Sequence, residues 1–97
     1  MNKQNKYLLR RIYNLINHNN HIFIIKRLRG EEGWCDKENI CLNVIGNDNP
    51  ISTLIHECLH YFYDWSEKEI IKKEKEICRQ LSNKQIKYLY QLLVNLL

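Results

Sequence analysis

Residues 53–62 read "TLIHECLHYF", and no other stretch of this 97-residue chain restricts the fold as strongly. Residues four apart lie one turn apart on the same face of an α-helix. His56 and His60 therefore share a face and can point at one ion. Leu54, Ile55, Cys58, Leu59 and Phe62 fall on the opposite side, as a buried face requires. Glu57 lies on the flank of the histidine face, close enough to reach a group bound to an ion but too far round to bind it easily alongside the histidines. The spacing His-Glu-x-x-His on a helix thus has a mechanical content: two imidazole ligands and one general base. Cys58 points into the core and reads as a small hydrophobe.

The rest of the chain must supply a core for this helix and a further ligand for the ion. Residues 3–17 read as an amino-terminal helix, with Leu8, Ile12, Leu15 and Ile16 at helical spacing. "NHNN" breaks it. "HIFIIKRL" (21–28) is β-branched and aromatic and reads as a strand. "RGEEG" turns the chain, and two further strands near 33–36 and 40–45 look like a hairpin around "DKEN". "GNDNP" is a loop whose Pro50 suits the start of a helix, here about 51–63. Ser66 opens "SEKE", a capping box that starts a helix to about Leu81. Ser82 opens "SNKQ", a second box that starts a helix to the carboxyl end, carrying Ile86, Leu89, Tyr90, Leu93 and Leu97. The expectation is one α+β domain over residues 1–97: a helix, a small three-stranded sheet, the histidine helix, a glutamate-bearing helix and a carboxyl-terminal helix.

A zinc site open for chemistry takes three protein ligands. Ile70, Ile71, Ile77, Cys78 and Leu81 form one apolar stripe on the 66–81 helix, and Glu74 falls within it. An acid in an apolar stripe is costly unless a cation compensates it, so Glu74 is the favoured third ligand. Glu67 has acceptable phase, but its place in the first turn suits the helix dipole. Asp64 is on the histidine face and suits a hydrogen bond to a histidine. Glu69 and Glu76 read as solvated.

Formal net charge is +4, and the residues from Met1 to Arg29 carry seven Lys and Arg and no acid. A solvated helix face explains most such runs, yet this basic third also suits a nucleic-acid or acidic partner. Cys35, Cys41, Cys58 and Cys78 fit no Cys-x-x-Cys pattern and read as reduced thiols. No secretory segment and no membrane-spanning run is visible, so the expected setting is cytoplasmic.

Taken together, "GWCDKENICLNVI", "STLIHECLHYF" and "SEKEIIKKEKEICRQL" resemble, in that order, the minimal gluzincin metallopeptidases: minigluzincins, small phage-encoded enzymes and the ImmA/IrrE-type peptidase domain. The likeness covers roughly residues 30–81. It implies a zinc metallopeptidase in which His56, His60 and Glu74 hold Zn2+ and Glu57 is the catalytic base. It also implies a peptide substrate laid along an edge strand, for which "ICLNVI" is the candidate. A donor to the developing oxyanion is expected too, with Tyr61, Tyr63, His18 and His21 as candidates. Ile77 and Leu81 stand where ImmA-type domains carry small residues. Two rival readings keep the histidine pair. One is a catalytically silent or self-inhibited zinc-binding module, its apolar tail folded over the site or used as a dimer surface. The other is a DNA-associated, SprT-like protease using the basic first third.

Overall fold

Each long helix starts where a polar side chain captures an orphan backbone N–H. Asn2 accepts from the Asn5 N–H at 2.8 Å and opens α1, Lys3–His18. Asn49 accepts from the Ser52 N–H at 3.1 Å, with Pro50 following, and opens α2, Pro50–Phe62. Ser66 accepts from the Glu69 N–H and opens α3, Glu67–Gln80. Ser82 and Gln85 exchange both capping bonds and open α4, Asn83–Leu96.

The structure, a computed structural model, describes residues 1–26, 33–43 and 49–97, with only the backbone of Gly33 and Trp34. The expected strand ends at 27–28 and 44–45, the basic residues Arg27 and Arg29, and most of the two connecting turns lie outside the described residues. The fold is mixed helix and sheet, and mostly helical. Strand β1, Phe23–Lys26, pairs in parallel with β3, Ile40–Asn43, and β2, Gly33–Cys35, pairs antiparallel with the other side of β3. This order corrects one expectation. Ile40–Asn43, the described part of "ICLNVI", is the central strand, paired with β1 on one side and β2 on the other, so this part of β3 has no free edge to offer a peptide. Among the described strands, β1 and β2 are the edges. Local sequence does not distinguish a central strand from an edge one, because the parallel pairing with β1 is a long-range choice.

α2 lies over the sheet and buries Leu54, Ile55, Cys58 and Leu59 completely. Each such aliphatic side chain contributes about 1.5–3 kcal/mol relative to exposure. Leu8 and Ile12 of α1, Ile70 and Ile77 of α3, and Leu89 and Leu92 of α4 close the same core. The carboxyl-terminal helix therefore completes the core. Its last turns meet Pro50 and Thr53 at the start of α2, around a small apolar cavity of about 160 Å³.

One polar residue sits in the heart of the helical packing. Asn5 is fully buried, and its amide donates to Glu76 at 3.1 Å and to Gln80 at 2.9 Å. Its carbonyl oxygen accepts from Lys73 at 3.3 Å. Glu76 also takes bonds from Asn2 and Lys73, so it ties α1 to α3 and is not the solvated acid its sequence phase suggested. The bonds from Asn5 and then Lys73 hold its carboxyl below the ordinary value of 4.5. A depressed folded-state pKa contributes stability above the unfolded value and loses it as pH falls through the folded one. Urea midpoints of the native chain should therefore fall as pH drops below 4.5. Glu76→Gln should flatten that part of the profile, and an unchanged profile would remove the assignment.

Candidate metal centre

The connection from α2 to α3 is only four residues, 63–66, so α3 turns back along α2. This reversal brings the first residue of α3 level with the last turn of α2. The Nε2 atom of His56 lies 2.7 Å from one oxygen of Glu67, and the Nε2 atom of His60 lies 2.7 Å from the other. The two imidazole rings are 4.9 Å apart between centroids. Among the described residues, His56, His60 and Glu67 form the one group whose donor atoms all lie within 4.8 Å of one another, as an ion requires.

The expected third ligand, Glu74, is not in that group, and Glu67 is. Glu74 lies two turns further along α3, which sets it beside an earlier turn of α2. It accepts from the Ser52 Oγ at 2.6 Å and stands 3.6 Å from His56 Nδ1, on the ring edge away from Nε2. At that distance it is an electrostatic neighbour and not a hydrogen-bond partner. The 2.7 Å contact with Glu67 places a proton on Nε2 here; with an ion on Nε2 instead, the charge of Glu74 would favour a proton on Nδ1. Helix phase found Glu74 facing inward, correctly, but phase alone gives no distance along the axis. Glu67 has the first-turn place that suits the helix dipole, and its side chain is 60% exposed, yet both of its oxygens are engaged by the histidines. The signal for it was the four-residue connection, which obliges the first turn of α3 to sit beside His60. Asp64 is exposed and is not in the donor group.

The donor set fits a divalent ion. Two imidazoles and a carboxylate are the borderline-soft nitrogen and oxygen ligands of zinc, and tetrahedral donors at zinc bond lengths stand about 3.3 Å apart. The present carboxylate–imidazole contacts are shorter. Admission of an ion therefore asks for outward relaxation of Glu67, the most exposed of the three.

Glu57 is 8% exposed, next to this group on α2. Burial pushes its carboxyl above the ordinary carboxylate value; positive charge on His56 or His60 pulls it back, and Glu67 pushes it up again. Cys35, at the end of β2, donates to the Asp36 carbonyl at 3.1 Å. Burial first, then Glu57 and Asp36, raise its pKa to about 11, so it is a thiol and not a thiolate at neutral pH. All four cysteines are free, and Cys58 is wholly inside the core.

An open, polar groove of about 550 Å³ runs beside His60, between Cys35–Lys37 on one wall and Tyr61–Trp65 on the other. Tyr61 lines it, one turn beyond Glu57 on α2. The Tyr63 oxygen is engaged by Arg11. His18 and His21 are exposed at the end of α1 and in the short turn after it. Of the basic residues on α1, Lys3, Lys6 and Arg10 are exposed, whereas Arg11 is packed among aromatic rings. No described helix is long and apolar enough to cross a membrane. Comparison with protein-family models, with curated proteins and with solved structures returned no match.

Proposed function

We propose that this chain is a zinc-dependent peptidase of the minimal gluzincin kind, with His56, His60 and Glu67 as ligands and Glu57 as general base. One observation carries the reading: two imidazole Nε2 atoms converge on a single carboxylate while a second carboxylate, nearly buried and held above its ordinary pKa, stands beside them. A bound zinc ion would supply Lewis acidity toward a peptide carbonyl and toward water.

The chain's own residues do the remaining work. Glu57 takes a proton from water and afterwards returns it to the leaving amine, a task that an elevated carboxyl pKa favours. Ser52 holds the Glu74 carboxylate 3.6 Å from His56 Nδ1, where its charge would favour a proton on Nδ1 once an ion takes Nε2. The groove beside His60 receives the substrate, and β2 is the edge strand nearest to it, since Cys35 belongs to both. An extended peptide paired with β2 would hold its backbone in register while the groove walls select side chains.

Metal loading provides the test. The purified chain should bind one zinc ion per molecule, and zinc at a hundred times its Kd should add about 2.7 kcal/mol of stability. For a domain of this size that is a rise in Tm of roughly 10 °C or more. Chelation should abolish cleavage of an unfolded protein such as reduced casein, and zinc should restore it. A chain that binds zinc and cleaves nothing across such substrates is the silent module. Cleavage indifferent to chelators would end the proposal.

A further inference from the structure

Contacts from the other end of the chain reach the segment just before Glu67, the most exposed member of the donor group. Arg11 of α1 reaches the end of α2 and the connection that follows. Its Cζ atom lies 4.1 Å from the centre of the Phe62 ring, 5.5 Å from that of Tyr63 and 5.9 Å from that of Tyr7. Its Nη1 donates to the Tyr63 hydroxyl oxygen at 3.1 Å. Tyr63 in turn stacks on Trp65, with ring centres 4.2 Å apart and planes 5° apart. Phe62, Tyr63 and Trp65 all lie between His60 and Glu67. One guanidinium therefore grips the short segment that determines where α3 begins. The Asn5 bonds to Glu76 and Gln80 brace the same helix further along.

We infer that Arg11 is a positioning residue for the metal centre. It fixes Tyr63 and, through the ring stack, Trp65, and so presents Glu67 to the two histidines. A guanidinium can do this because it lies flat against an aromatic face and donates in its own plane at the same time; a lysine ammonium does only the first. The inference rests on the reading of His56, His60 and Glu67 as ligands. It adds that the affinity of the site is controlled from α1, which contributes no donor atom.

The experiment is a zinc titration against a competing chelator, using the full chain and its variants, alongside metal-free urea unfolding. Arg11→Met keeps much of the side-chain length but removes charge and donors. It should weaken zinc binding about 10–100-fold, the range found when groups supporting metal ligands are removed. Tyr63→Phe keeps the stack on Trp65 and loses only the bond from Arg11, so it should fold normally and weaken binding less. Arg11→Lys should fall between Arg11→Met and the native chain. A general structural role would lower affinity whatever the third ligand, so the deciding measurement is a double-mutant cycle. In a Glu67→Gln background, Arg11→Met should bring no further loss. A full 10–100-fold loss in that background, or native affinity in both Arg11→Met and Tyr63→Phe, overturns the inference while leaving the metal centre intact. A native chain that binds no zinc removes the ligand assignment itself.

Discussion

Glu57→Gln should abolish peptide hydrolysis while zinc binding stays within a few-fold of the native value. The substitution is nearly isosteric, so the 8%-exposed site keeps its packing. What disappears is the capacity to accept a proton, and a positioned general base contributes typically about 10²–10⁴ in rate. The amide also removes a buried group whose charged form is disfavoured. A carboxyl with a raised folded-state pKa makes the metal-free fold less stable as pH rises through the interval between the unfolded and folded values. Metal-free Glu57→Gln should therefore be at least as stable as the native chain at neutral pH. Steady-state cleavage assays and denaturation of the same preparations check both parts. Retained hydrolysis in the glutamine variant would rule out Glu57 as the base.

The ligand set makes the second large prediction. His56→Ala or His60→Ala should eliminate stoichiometric zinc, because one imidazole and one exposed carboxylate cannot hold the ion at micromolar concentrations. Cleavage and the zinc-induced rise in Tm should disappear with it. The two acids that flank His56 separate the two ligand assignments. Glu67→Gln should cost far more affinity than Glu74→Gln, since Glu67 touches both Nε2 atoms at 2.7 Å and Glu74 faces only Nδ1 at 3.6 Å. Glu74→Gln should show the smaller loss, about 10–100-fold, of a group that orients a ligand. The reverse order, measured by isothermal titration, would restore Glu74 to the coordination sphere.

Much of this site could be read without coordinates. The period of the 53–62 stretch placed His56 and His60 on one face and sent Leu54, Ile55, Cys58 and Leu59 inward, because a single helix fixes both by rotation alone. Ser66, Ser82 and Pro50 marked helix starts because capping is a local affair of three or four residues. The third member of the donor group was not legible in the same way. Glu67 and Glu74 differ in how far along α3 they lie, and that distance acquires meaning only once α3 is known to fold back beside α2. Asn5, Glu76 and Arg11 were hidden for a related reason. Each is polar; Glu76 and the basic run holding Arg11 read as solvated, and nothing local marks Asn5. Their partners lie 50 to 75 residues away in sequence, beyond anything that composition or periodicity can detect. The central place of β3 likewise depends on β1, the far side of the sheet.

Those distant partnerships also set an order of assembly. Asn5 meets Glu76 and Gln80, and Asn17 meets Tyr88, across gaps of 71 to 75 residues. Long-range contacts of this kind close large loops and slow folding. During synthesis the leading helix leaves the ribosome first, yet its partners on α3 and α4 follow only with the last third of the chain. The histidine helix can meet its sheet earlier, so the brace on the candidate donor group comes late. Until then a nascent chain would hold two ready imidazoles and a wandering carboxylate.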